Sequence, residues 1–424
     1  MLLCDPLSTK KERTTYMKAL VLAGGFPQIA LINELKSRGI TTVLADWNRE
    51  PVAKKHADIF YQASTLDIAA ITEIAVKERV DFLITACTDQ ALLTVAKVSE
   101  DLGLPCYIDY QTALNVTNKA YMKKVFDEYG ISTAKHVVMG ELDESMIADM
   151  QYPLIVKPVD CNSSKGVKKV ENIDELKVAF ADAVRFSRTD TAIIERFIDG
   201  PEISVDIYVE DGIAKVLCIS NNVKIADKDK FVIFRGRCPA VETEAIRKPI
   251  EKTAQQIADA FGLKNTPMLI QFITDGEQVY VLEFSARTGG GTKFLRINRM
   301  TGFDVIKAVV DLTLGLKPHV GHIDLNNSYL VDDFIYCKPG IFDHLEGFEE
   351  MKQAGYITDY YLFKWKGAEF DSISNSGDRI AGFTVWADTL EGLKEKHNIV
   401  ANSIKVIDDQ GNDMMRHDLL SEVE

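Results

Sequence analysis

The chain has little cysteine and no CxxC pair. Its seven cysteines (Cys4, Cys87, Cys106, Cys161, Cys218, Cys238 and Cys337) are scattered and odd in number. That pattern excludes a disulfide framework and argues against a zinc site; it reads as reduced thiols in the cytoplasm. No apolar run approaches the length of a membrane span, so no membrane association is expected. Met1–Tyr16 are polar and lack the apolar region of a signal peptide, and read as a disordered extension. No basic stretch offsets the formal net charge of -14, which argues against nucleic acid as a partner. Internal repeats and low-complexity tracts are missing too. What is left is an ordinary globular composition over 424 residues, enough for roughly two to four domains or subdomains.

Against this plain background one segment stands out. Met268–Ile273 is apolar apart from Gln271, and Val279–Arg287 begins in the same way. Period-2 alternation then puts Glu283, Ser285 and Arg287 on one face of a core strand. An acid, a hydroxyl and a guanidinium there cost free energy unless a ligand or ion compensates them. A divalent cation with phosphates would do so, Glu283 taking the metal and Arg287 the anion. For Gln271 and Glu283 to share one ion they must lie nearly opposite each other. That centres the turn near Glu277; a two-residue turn would send them to opposite faces. The competing reading is a buried Glu–Arg ion pair with no ligand.

Upstream, strand and helix patterns alternate. Lys18–Ala23 predicts a strand, Gln28–Arg38 a helix stopped by Gly39, and Thr41–Ala45 a second strand. Ile68–Glu78 and Ala91–Leu102 predict helices around a buried strand at Asp81–Ala86. This is a parallel doubly wound unit over residues 17–115. The Gly24-Gly25 turn with Asp46 downstream invites a dinucleotide reading, but the spaced glycines of that fingerprint are missing. A tight strand-to-helix turn explains it equally well. His319 and His322 read as surface residues, not metal ligands.

Other pieces are individually weak. Lys119 opens a helix, where a cation is unfavourable to the dipole unless an anion lies nearby. Lys157 ends an apolar strand and leads into a small-polar loop, Asp160–Gly166. Glu195-Arg196-Phe197 and Glu202 follow, then Gln271 and the Glu283–Arg287 alternation. In this order, from about Met17 to Pro318, the chain resembles the ATP-grasp superfamily. It is most similar to the branch holding the large subunit of carbamoyl-phosphate synthase and the ATP-dependent amino-acid ligases.

The resemblance implies an α/β and α+β architecture. A Rossmann-like pre-ATP-grasp domain (17–115) would precede a two-lobed ATP-grasp domain (116–325, lobes 116–190 and 191–325). Beyond the resemblance, strand patterns at Ile380–Trp386 and Ser403–Asp408 around a helix at Leu390–Lys396 predict a small α+β region (326–424). The resemblance also implies ATP and Mg2+ as cofactors, with Mn2+ able to replace the magnesium. Lys119 and Lys157 would touch phosphates, and Ser163, Ser164 and Gly166 would fold over them. Glu195, Arg196 and Phe197 would be the hinge whose main chain reads adenine, and Glu202 would hold the ribose. Gln271 and Glu283 would ligate magnesium, and Arg287 would stabilise the transferred phosphoryl group. Ser285 departs from the pattern: most members carry Asn there as a further ligand, so the second metal would be held loosely or through water. Arg235 or Arg237, in the charge-rich stretch Lys224–Arg237, could bind a second substrate carboxylate.

The chemistry fits a carboxylate–amine ligase. A carboxylate is a poor electrophile, and phosphorylation gives it a leaving group; the transfer needs positioning and charge neutralisation. The expected partners are a small carboxylate and an amine, with a homodimer as the default state. A purine-pathway or carbamate-phosphorylating relative, a non-catalytic nucleotide sensor and a nicotinamide dehydrogenase are the competing readings.

Overall fold

The computed structural model describes residues 17–161, 165–225, 231–276, 278–323, 328–420 and 423. The sixteen-residue extension therefore lies outside the described residues.

The first unit is the parallel sheet that the alternation predicts. Strands β1 (Lys18–Leu22), β2 (Thr41–Asp46), β3 (Ile59–Gln62) and β4 (Phe82–Ile84) run in the order β3-β2-β1-β4. Leu20, Val21, Val43 and Leu83 are fully buried, as strands covered by helices on both faces require. The Gly24-Gly25 turn is closed. The Gly24 N–H donates to Asp46 Oδ2 (2.6 Å), its carbonyl accepts from the Ala53 N–H, and a Cβ on Gly24 would sit 2.5 Å from Pro51 Cβ. Pro51 packs directly on Gly24, so this glycine serves a tight strand-to-helix turn.

A small antiparallel sheet follows, of β5 (His136–Met139), β6 (Leu154–Pro158), β7 (Lys168–Val170) and β8 (Ala192–Arg196), in the order β5-β8-β6-β7. The lobe boundary expected at 190/191 thus moves: β8 pairs with β5 and β6 and belongs to the smaller sheet. Before it lies helix Lys119–Tyr129. Asn118 caps its start, accepting from the Tyr121 N–H, and Gly130 ends it at φ 63°. The Lys119 N–H donates to the carbonyl of Val159, which ties the helix start to the end of β6.

The large sheet begins with β9 (Glu202–Glu210), β10 (Ile213–Lys224), β11 (Ile233–Cys238), β12 (Thr266–Thr274) and β13 (Val279–Ser285). Beyond it come β14 (Tyr329–Ile335), β15 (Gly340–Glu346), β16 (Asp359–Leu362), β17 (Glu369–Phe370), β18 (Ala381–Ala387) and β19 (Lys405–Asp408). The eight-stranded order is β13-β12-β9-β10-β11-β14-β18-β16. Within the α+β region expected at 326–424, three strands (β14, β16 and β18) extend the central sheet. Only β15, β17 and β19 form a sheet of their own, in the order β17-β15-β19. The C-terminal strands nevertheless pack a core cluster of their own, around Val331, Phe383, Leu393 and Val406. Helix Thr243–Ala260 packs Ile246, Ile250 and Ile257 on one face of the central sheet. Helices Lys293–Thr301 and Val305–Thr313 join the other face to the first unit.

Candidate active site

A cleft of about 870 Å³, its open mouth included, lies between the small and large sheets. Lys119, Lys157, Glu195, Arg196, Phe197, Glu202, Gln271 and Glu283 all line it. Residues spread over more than a hundred positions of sequence thus converge on one place.

The floor is a buried three-charge chain. Glu195 Oε2 lies 2.7 Å from Lys157 Nζ, and its Oε1 lies 2.7 Å from Lys123 Nζ. Burial alone would raise the Glu195 carboxyl; Lys123 and Lys157 outweigh it and hold it at about 2. Lys123, also bonded to the Thr133 hydroxyl, is pushed below the ordinary lysine range by burial. Sequence reasoning gave Lys123 no role. The signal was there: Lys119 and Lys123 are like charges at i,i+4 on a helix, an unfavourable pair without a compensating anion.

The opposite wall carries the polar hairpin. Gln271 and Glu283 are direct cross-strand partners, with a bulge immediately after Gln271. The turn runs between paired Thr274 and Val279, and of its residues Glu277 lies outside the described residues. Glu283 pairs with Lys119 (3.1 Å), not with Arg287, and the Lys119 ammonium also donates to the Cys161 carbonyl (2.7 Å). Gln271 donates its amide to Glu202 Oε1 (2.8 Å), leaving its oxygen for a cation. Glu202 accepts as well from Asn222 (2.7 Å) and pairs with Lys224 (2.6 Å). Burial raises its carboxyl, and Lys224 with these donors brings it below the ordinary range.

Among the described residues no group of three or more His, Cys, Asp or Glu gathers as a metal site. One carboxylate and one amide oxygen are too few for a resident metal. They do fit magnesium, which keeps waters and binds through one or two carboxylates and nucleotide phosphates.

Arg287 is held from another part of the fold. Its Nε donates to Asp89 Oδ1 (2.7 Å), and its Nη2 pairs with Asp89 Oδ2. Asp89 opens helix Asp89–Leu102 of the first unit. Burial would raise the Asp89 carboxyl, and Arg287 followed by the Ser285 hydroxyl holds it below the ordinary range. Ser285, expected as a magnesium ligand, is thus engaged with Asp89, which no sequence pattern pointed to.

Other expectations shift. Ser163 and Ser164 lie outside the described residues; Gly166 is placed beside Pro158 and Phe186. The Arg196 and Phe197 N–H groups are spent on the carbonyls of Lys135 and Pro153. A main-chain donor for a base edge must come later, and Ile198 is the next residue in the cleft. Arg235 is closed off by a bidentate pair with Asp333 (2.6 and 2.8 Å), with His397 Nε2 2.7 Å from the same carboxylate. That buried hub joins β11, β14 and helix Leu390–Ala401, so Arg235 does not serve a substrate there. Alternation puts Arg237 on the same side of β11, and neither arginine lines the cleft. Lys228-Asp229-Lys230 fall outside the described residues. His319 is exposed and bonds Glu210 (2.7 Å).

Burial would raise the Asp333 carboxyl, but Arg235 and His397 draw it down to about 2. The stability that Glu195 and Asp333 supply is complete above their ordinary values of 4.5 and 3.8, and is lost as pH falls to about 2. We expect urea midpoints to drop steeply across that window; a flat acid profile would contradict the two buried networks.

Comparison with known proteins agrees with this geometry. Residues 150–294 match the family model of the ATP-grasp domain. Carbamoyl-phosphate synthase of Methanobrevibacter smithii is 23% identical over 276 residues, 62% of this chain and 71% of that protein. D-alanine–D-alanine ligase of Flavobacterium johnsoniae is 30% identical over 208 residues, 46% of this chain and 63% of that one. The crystal structure of L-amino acid ligase from Bacillus licheniformis superposes with a TM-score of 0.77 at 21% identity, over 93% of this chain and 99% of that chain. The chain carries an ATP-grasp domain. Its relatives include proteins named carbamoyl-phosphate synthase, D-alanine–D-alanine ligase and phosphoribosylamine–glycine ligase.

Proposed function

We propose that this protein is an ATP-dependent ligase that joins a small carboxylate, most naturally an amino acid, to an amine. The observation that carries the reading is the single cleft in which Lys119, Lys157, Glu195, Glu202, Gln271 and Glu283 meet. Lys119 and Lys157 hold the nucleotide phosphates, and Glu195 fixes Lys157 beneath them. Glu202 takes the ribose hydroxyls by exchanging one of its present donors. Gln271 and Glu283 hold magnesium, which supplies charge neutralisation at the phosphates.

Arg287, oriented by Asp89, faces the charge that develops on the transferred group. The carboxylate oxygen attacks the γ-phosphorus, ADP leaves, and an acyl phosphate forms. The amine nitrogen then attacks the acyl carbon; the C–O bond to phosphate breaks, and the amine proton passes to solvent. Relatives named as D-alanine–D-alanine ligase and L-amino acid ligase support the amino-acid class.

The test is phosphate release from ATP–magnesium against a matrix of amino acids, small carboxylates and amines, with products weighed. We expect ADP, phosphate and an amide-linked product from at least one pair. A thermal shift with NAD and none with ADP–magnesium would overturn the reading.

A further inference from the structure

Deeper than the nucleotide cleft, β9 carries another acid. Glu202, Ser204 and Asp206 alternate on one face of that strand. Glu202 is satisfied by Lys224, Asn222 and Gln271. Asp206 is 2% exposed, and neither of its carboxylate oxygens has a hydrogen-bond partner. A buried carboxylate left in that state is unfavourable, and it marks a place where a cation belongs.

Two cations lie nearby without closing on it. Lys293 places its ammonium on the Ser204 hydroxyl and feels the Asp206 charge, yet no ion pair within 4.0 Å joins the two. Arg296 feels Asp206 too, but its Nε lies 3.6 Å from Asp332 Oδ2. Burial pushes the Lys293 ammonium down to about 8, against the pull of Asp206. A carboxylate and an ammonium therefore stand apart in one buried compartment. Gly289 closes it: a Cβ there would lie 3.0 Å from Asp206 Oδ1 and would overlap the Lys293 stem. The third side is the first unit. Cys87, a non-glycine residue at φ 63°, feels Arg287, Asp206 and Lys293, and strain of this kind gathers at ligand sites.

We propose that Asp206 and Lys293 form the subsite for the zwitterionic end of an α-amino acid, Asp206 taking its ammonium and Lys293 its carboxylate. This rests on the ligase reading above and deepens it. Lys293 feels the Arg287 charge, and Arg287 is the group assigned to the transferred phosphoryl; a carboxylate on Lys293 is thus the one phosphorylated, and the amino acid is the acyl donor. The flexible Lys293 stem swings aside to admit it.

The test compares thermal shifts of the full chain. AMP-PNP–magnesium is added first, then each common L-amino acid or its des-amino carboxylate. We expect a further rise in Tm with one or more amino acids and none with the matching des-amino acids. Asp206→Asn should keep the AMP-PNP–magnesium shift and lose the amino-acid shift. Equal shifts from the des-amino acids, no shift from any amino acid, or an undiminished shift in D206N would each overturn the subsite while leaving the nucleotide reading intact. Failure of AMP-PNP–magnesium itself to shift the wild type would instead overturn the ligase reading, and the subsite with it. The wild-type comparison stands even if D206N does not fold.

Discussion

Arg287→Ala will slow ATP-dependent phosphate release by about a hundredfold to a thousandfold, the usual cost of removing one preorganised donor from a developing charge. Binding of ADP–magnesium will survive, because Arg287 does not line the nucleotide cleft. The substitution has a second effect that must be separated from the first. It leaves Asp89 buried without its bidentate partner, and breaking a buried pair costs about 3–5 kcal/mol. A double variant, Asp89→Asn with Arg287→Ala, removes both charges and should recover most of the lost stability. It should recover none of the lost turnover. Wild-type rates in R287A, or restored turnover in the double variant, would sink the role given to the guanidinium.

The second large effect concerns Glu195→Gln. This carboxylate sits between Lys123 and Lys157, both deeply buried. Neutralising it leaves two ammonium groups facing each other, and we expect a loss of about 3–5 kcal/mol in the free protein. Nucleotide phosphates would then take over part of the missing charge. The Tm rise on adding ATP–magnesium should therefore be larger in E195Q than in wild type, by the linkage of binding to stability. A smaller rise would mean that phosphates do not approach Lys157. Lys123→Met gives a useful contrast, since Glu195 would keep Lys157 and the loss should be milder.

What could be read in advance divides along physical lines. The Gln271–Glu283 register was legible because two groups that share one ion must lie opposite each other on neighbouring strands. The parallel first sheet was legible because its strands are short, apolar and separated by helical patterns. Asp89 was not: it meets Arg287 across 198 positions, and a helix-opening Asp looks like any cap. Asp206 was not singled out either. Its signal was the alternation of Glu202, Ser204 and Asp206 on one apolar strand, and burial without a partner is what sets it apart. The fate of residues 326–424 rested on pairing between β11 and β14, a long-range choice that local pattern does not encode. Arg235 looked available in a charge-rich stretch, and its partner Asp333 is 98 positions away.

The Asp89–Arg287 link has a consequence for how such a chain can change over time. A guanidinium placed by one unit and anchored by another makes the first unit more than an appendage. A descendant that exchanged its leading segment for an unrelated one would keep its nucleotide cleft and lose the anchor. On the role proposed for Arg287, selection on the reaction acts on both units together, and they should be inherited as a single block instead of shuffled as independent modules.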